Sequence, residues 1–456
     1  MLWLFSFNGK ITPLPYALLS AGVFLSQQVM IRLAAGPRAQ LSWSDPLIYI
    51  SPLRSLVTAS KGSDLPQAVG LAYLLVVAWV LAALAFRRAN DANVGGWVAA
   101  FAITPAIQIP VILFLCLAPS DREQLVAYPG PTEPISILAS AVRGVLAGVG
   151  LTLVAVALGT LVFGTYGYAL FLLTPFVIGI ISAYIANYRV DIGRGQTAWA
   201  VVMAAVLGSL SLVAFAVEGL ICIIMAAPLG IGMALIGGDL GRAMALQARR
   251  PARQTLPCLA LLPLMFSVEN VLPPSAHFDT EQTISVAAPP ETIWQSILSS
   301  DPVEGPLALP FRLGVAYPLR GEVIGEGVGA VRYGEFSTGT AIERMTEWVP
   351  NRKLAFEVVR DIPGMRELSP YEHVHAPHVI GYFRTISTSF ELVPRPDGGT
   401  DIIERTAHEL RLDPVPYWLP MARWIVRENN ARVLAHIRTH AERSFRALNS
   451  ASPQPL

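Results

Sequence analysis

The chain has 456 residues, 33 Lys and Arg against 32 Asp and Glu, a net charge of +1 and 53% hydrophobic residues. That near-neutrality hides two unlike halves: residues 1–276 carry 15 basic and ten acidic side chains, residues 277–456 carry 18 and 22, so a +5 half is joined to a −4 half. Long uncharged runs such as 144–188 exclude a water-exposed first half, and the acidic balance of the second half lacks the footprint of a nucleic-acid binder.

Residues 1–10 lack the basic start and small-residue cleavage site of a secretory signal, so the first apolar stretch is expected to stay as an anchor. Apolar runs of about 20 residues, enough to cross a bilayer, fall near 12–34, 67–86, 97–118, 140–163, 166–188, 197–217 and 219–241. A weaker eighth run lies near 254–270, giving a transmembrane region of seven or eight helices over residues 1–270. Cys116, Cys222 and Cys258 sit far apart in apolar runs, without CxxC or zinc spacing, and read as small packed hydrophobes. Arg87, Arg88 and Asp91 read as anchors at the membrane face, with Trp97 in the aromatic belt. Glu218, between two apolar runs, is the carboxylate that a transport path would use.

Two short motifs carry a resemblance. Phe5-Ser6-Phe7-Asn8-Gly9-Lys10-Ile11 precedes the first run, and Arg87-Arg88-Ala89-Asn90-Asp91-Ala92-Asn93-Val94-Gly95-Gly96-Trp97 joins the second to the third. Residues 1–120 thereby resemble the bacterial inner-membrane family called domain of unknown function 805, which brings no established activity. Lys10, Ala89-Asn90 and Val98 depart from its pattern. The resemblance implies a multi-pass protein of the bacterial inner (plasma) membrane. With eight spans, one set of loops holds 11 Lys and Arg and the other only Lys10, Arg87 and Arg88. The excess of positive charge faces the cytoplasm, which places the C-terminal domain on the extracytoplasmic side. The family's basic motifs pull the other way.

Residues 271–279 read as a linker, 280–448 as a soluble domain and 449–456 as a disordered tail. The expected order is a strand over 283–286, a helix opened by Pro289-Pro290-Glu291, strands over 320–324, 330–336, 341–348, 354–360, 383–393 and 401–410, and a long helix over 416–446. Trp418, Met421, Ile425, Asn429, Val433, Ile437 and His440 form one stripe of that helix, with Asn429 as an amide in an apolar seam. This order resembles the START-like, polyketide-cyclase (SRPBCC) superfamily, on the residues Ile284 to Trp294, the Glu347-Trp348-Val349-Pro350-Asn351-Arg352-Lys353 turn and the 390–406 hairpin. The resemblance implies a helix-grip fold: a curved antiparallel sheet around the C-terminal helix, with an apolar ligand cavity between them.

Alternation suggests the cavity face. Val331, Tyr333 and Glu335 share one side of their strand, with Arg332 opposite; Phe356, Phe390 and Arg384 lie on rows expected to face inward. Tyr333, Glu335, Phe356, Arg384, Phe390, Asn429 and Val433 are therefore the candidate ligand contacts. The 365–383 segment, with His373, His375 and His378, reads as a lid rich in Tyr371, Tyr382 and Phe383; a metal site on its histidines is chemically open but lacks an evident fourth ligand.

The expected function is a membrane-anchored module binding a hydrophobic small molecule or lipid, with membrane lipids as further partners, no cofactor and no nucleic acid. One alternative is a cyclase-like enzyme using Tyr333, Glu335 or a lid histidine as acid or base. Another is a transporter with a soluble ligand-sensing domain, resting on Glu218.

Overall fold

A computed structural model describes residues 2–35, 49, 52, 55–56, 64–104, 107–120, 136–164, 166–247, 256–271, 275–371 and 379–451. The chain divides into two compact units, the first formed by Met1–Pro274 with Ser369–His375 and Asp413–Tyr417, the second by Ser275–Leu368, Ala376–Leu412 and Trp418–Leu456.

The first unit is helical. Its principal helices are α1 (Pro13–Ala35), α2 (Asp64–Asp91), α3 (Gln108–Leu117), α4 (Ile137–Ala157), α5 (Thr174–Asn187), α6 (Arg194–Ala214), α7 (Leu220–Gln247) and α8 (Leu261–Val271). Among the described residues, six helices are long and apolar enough to cross a membrane, so this is a multi-pass membrane region. Two of the expected spans differ. The 97–118 stretch is broken into Val98–Phe101 and the ten-residue α3, and the 254–270 stretch into Leu256–Leu259 and the 11-residue α8. Pro263 lies just past the break in the second of these runs, and proline removes a helical hydrogen bond.

Small residues set the packing of α5 on α7. A Cβ added at Gly237 would fall 2.0 Å from the Phe176 carbonyl oxygen, and one at Gly179 would fall 1.9 Å from that of Ala234. The two backbones therefore touch directly, a form of helix association that needs no solvent-driven burial. Arg87 and Arg88 are buried rather than anchored at a surface. Arg88 Nη1 donates to Asp91 Oδ2 at 2.6 Å and Nε to the Leu115 carbonyl at 2.9 Å, while Nη2 reaches the Ala118 carbonyl. One guanidinium thus ties the end of α2 to the end of α3. Arg87 lies over the Trp3 ring, 4.0 Å from its centroid.

The second unit is a seven-stranded antiparallel sheet: β1 (Ala276–Val286), β2 (Pro318–Ile324), β3 (Val331–Phe336), β4 (Gly339–Val349), β5 (Lys353–Arg360), β6 (Phe383–Pro394) and β7 (Thr400–Leu410), in the order β1-β7-β6-β5-β4-β3-β2. Helix α9 (Pro290–Leu298) follows β1, and α10 (Val415–Ala451) closes the chain. Turn chemistry follows the residues: Asn351 between β4 and β5 has φ 61° and Gly398 between β6 and β7 has φ 84°, both left-handed positions that suit an amide or a glycine. The core joins α9 (Ile293, Trp294), the middle strands (Met345, Leu354, Phe356, Phe390, Ile402) and α10 (Leu434, Ile437, Ala441). A sheet packed by one long terminal helix is the helix-grip arrangement.

Two sequence expectations shift here. The first strand begins at Ala276, not Thr283, so residues expected as linker pair with β7 out to Leu410. Ala276, Phe278 and Thr280 are buried on alternate positions, which is a strand's pattern. The buried seam of α10 is Leu419, Arg423, Val426, Asn430, Leu434, Ile437 and Ala441, one residue on from most of the expected stripe. One residue is about 100° of helix rotation, so Asn430 takes the central place expected of Asn429. Of the expected stripe, Trp418 and Ile437 are buried and the other five are half-buried, and α10 also holds the 299–308 loop: Arg432 donates to the carbonyls of Val303, Gly305 and Pro306, and His440 Nε2 lies 2.8 Å from Asp301 Oδ2.

Candidate functional site

The sheet's inner face is defined by β7, where Ile402, Glu404, Thr406, His408 and Leu410 are all buried at alternate positions. Its neighbours set the rows. Thr280 of β1, Thr406 of β7, Thr388 of β6 and Phe356 of β5 lie opposite one another across four strands. The adjacent row runs Gln282, Glu404, Phe390 and Leu354.

One end of this face carries a closed polar chain. Asn430 Nδ2 donates to Thr280 Oγ1 at 3.1 Å and Thr406 Oγ1 at 3.3 Å; the two hydroxyls are 2.7 Å apart. His408 Nε2 is 2.7 Å from Thr406 Oγ1 and its Nδ1 is 3.3 Å from Thr385 Oγ1. One assignment uses every hydrogen: Thr280 donates to Thr406, Thr406 to His408 Nε2, and His408 Nδ1–H to Thr385. That requires a neutral imidazole, and burial pushes His408 down to about 4. Phe278 and Phe383 stack on the same ring at 5.1 and 5.3 Å.

The other end carries charge. Arg332 of β3 pairs with Glu343 directly opposite it on β4, and its guanidinium lies 5.0 Å from the centre of the Phe356 ring. Gly321 and Gly334 face each other on β2 and β3 beneath it; a Cβ at Gly321 would fall 2.5 Å from Arg332 Nη2. Glycine there makes the bed for the guanidinium. Glu404 is 3% exposed, and its Oε2 has no hydrogen-bond partner among the described residues. Burial pushes its carboxyl up to about 8, with Arg332 pulling the other way. At neutral pH it is mainly a carboxylic acid, able to donate as well as accept.

The expected contacts divide. Phe356 and Phe390 are buried in the core, 6.5 Å apart between ring centres, and Val433 packs against the same cluster. Tyr333 is 38% exposed, so the phase expected for β3 is reversed: Arg332 faces inward and Tyr333 outward. The reason is the glycine bed, which admits a charged side chain that alternation alone assigns to solvent. Glu335 pairs with Arg320 of β2, and Arg384, half-exposed, lies 3.8 Å from Glu409. Asn429 is half-buried, with Oδ1 unpartnered among the described residues. His373, His375 and His378 lie outside the described residues, among which no group of His, Cys, Asp and Glu could hold a metal ion. Glu404, Thr406, His408 and Asn430 were missed by sequence reasoning. The signal was present in the 401–410 strand, where an acid, a hydroxyl and an imidazole fall on the side shared by Ile402 and Leu410.

The class is thus a multi-pass membrane region joined to a helix-grip domain. Residues 4–125 match the family model described as Protein of unknown function (DUF805). No curated protein matches the chain. Among solved structures, the Zhui aromatase/cyclase from Streptomyces sp. R1128 is 17% identical, with 38% of this chain and 98% of that one covered and a TM-score of 0.26. Norcoclaurine synthase from Thalictrum flavum, in complex with dopamine and hydroxybenzaldehyde, is 15% identical over 40% and 91% of the two chains, with a TM-score of 0.25. Ara h 8.0201 is 13% identical over 36% and 98%, with a TM-score of 0.26.

Proposed function

We propose that the second unit is a membrane-tethered binding module, taking up a hydrophobic small molecule or lipid between its sheet and α10. The observation that carries this reading is the make-up of the inner face. Phe356, Phe390, Leu354 and Leu434 form an apolar wall interrupted by very few polar groups, and one of those, Glu404, keeps an oxygen without a partner among the described residues. Apolar side chains with a small number of placed polar groups are the usual lining of a small-molecule site. The six apolar helices supply the tether. On this reading Phe356, Phe390 and Val433 make the apolar contacts, in a bacterial inner membrane with the module on the extracytoplasmic side.

The test is mass spectrometry of small molecules that co-purify with the full-length protein and survive exchange into a second detergent. A retained hydrophobic species in stoichiometric amount supports the module. Delipidated protein that carries nothing and binds no member of a lipid panel refutes it. A C-terminal reporter active only outside the cytoplasm checks the side.

A further inference from the structure

Resting on that reading, we infer that the Glu404 carboxyl is the polar anchor of the interior and that it selects an uncharged apolar ligand presenting one carbonyl or hydroxyl oxygen over an anionic one. The hydrogens of Asn430 Nδ2, Thr280, Thr406 and His408 are given to one another and to Thr385, so that end has no donor to spare for a ligand oxygen. Gln282, opposite Glu404 on β1, turns its Nε2 to the Arg427 carbonyl and gives it one hydrogen at 2.9 Å. The neighbour on the other side is Phe390, which has nothing polar to give.

The cations are engaged as well. Arg332 is matched by Glu343, and Arg423, buried over the Phe278 ring at 5.6 Å, is not free. A carboxylate or phosphate entering this interior would meet no spare positive charge and would approach Glu343 and Glu404. A buried charge without a partner is strongly disfavoured. Glu404 is different. Its Oε2 is buried, has no partner among the described residues, and belongs to a group that burial keeps protonated at neutral pH. A carbonyl oxygen can accept that hydrogen, and a hydroxyl can both accept it and donate to the other oxygen. An alkane can do neither and leaves the carboxyl unsatisfied.

The experiment titrates the full-length protein at neutral pH with dodecanone, dodecanol, dodecanoate and dodecane, reading occupancy by native mass spectrometry. One hydrogen bond inside a protein corresponds to a preference of about tenfold. The expected result is that dodecanone and dodecanol bind about tenfold more tightly than dodecane and dodecanoate. Glu404→Leu should abolish that preference without weakening dodecane, and Glu404→Gln, which keeps a donor, should retain it. If Glu404→Leu does not fold, Glu404→Met makes the same comparison. Tightest binding by dodecanoate, or a preference that survives Glu404→Leu, overturns the inference. Equal binding of all four probes overturns it too while leaving the binding module standing. Binding of none overturns both.

Discussion

Asn430→Leu isolates the polar chain on the inner face. Asn430 is 5% exposed and gives both Nδ2 hydrogens to buried hydroxyls, at 3.1 and 3.3 Å. Two neutral hydrogen bonds contribute about 1 kcal/mol each, and leaving the acceptors dry adds roughly 1 kcal/mol more. A buried leucine returns about 1–2 kcal/mol of apolar transfer. The net loss is about 1–2 kcal/mol, which increases the open population about 5- to 30-fold. Hydrogen exchange of the β1 and β7 amides in the full-length protein reads this directly, because Thr280 and Thr406 pair across those strands. The quadruple variant Asn430→Leu, Thr280→Val, Thr406→Val, His408→Phe replaces the whole buried chain by apolar groups, so that no His408 nitrogen is left without Thr406, and should recover much of the loss. Asn429→Leu, one position away and half-buried, should change exchange by no more than about twofold, within ordinary surface effects. Unchanged exchange in Asn430→Leu, or a quadruple variant worse than the single, would refute the reasoning.

Three further outcomes follow from other sites. For pH, the folded unit holds a proton on Glu404 that the unfolded chain releases between 4.5 and about 8, so that group's stability contribution falls as pH rises through this window. His408 works oppositely: its folded value of about 4 lies below 6.5, so stability falls as pH drops through that interval. The two slopes cancel between about 4.5 and 6.5 and leave a loss of about 1 kcal/mol per pH unit from 6.5 up to about 8; urea unfolding of the second unit should show this, and Glu404→Gln should flatten the alkaline limb. In the first unit, Arg88→Leu leaves Asp91 buried without its cation, at a cost of about 3–5 kcal/mol, and thermal melting in detergent should fall sharply. Gly237→Leu should separate α5 from α7 and give aggregated material on size exclusion, because the added carbons meet backbone, which cannot rotate away.

The sequence made the strand order visible because turns such as Pro396-Asp397-Gly398-Gly399 punctuate alternating runs. It misplaced the phase of α10 by one residue. Met421, Ile425 and Val433 are apolar enough to pass for a seam, yet the seam includes Arg423 and Asn430, whose polarity hides them from a hydrophobic count. The same blindness reversed β3. Arg332 faces inward because Gly321 and Gly334 make room for it, and pairing between strands is invisible along the chain. The inner polar residues were legible in principle as a row on β7. What was not legible was which face is enclosed, since burial depends on the partners brought by tertiary structure.

The pairing of β1 with β7 also sets a schedule. Ala276 meets Leu410 and Val286 meets Thr400, so the first strand of the sheet finds its partner only when the last has been made, more than a hundred residues later. At a synthesis rate of about 5–20 residues per second, the wait is on the order of ten seconds. Throughout it the 11 residues of β1 wait just after the apolar helices without the partner they have in the folded sheet. Its acidic side chains, Asp279 and Glu281, stand at alternate positions with exposed faces. Charge on an unpaired strand deters sticking to neighbours. The strand that completes the fold is thus guarded while it is idle.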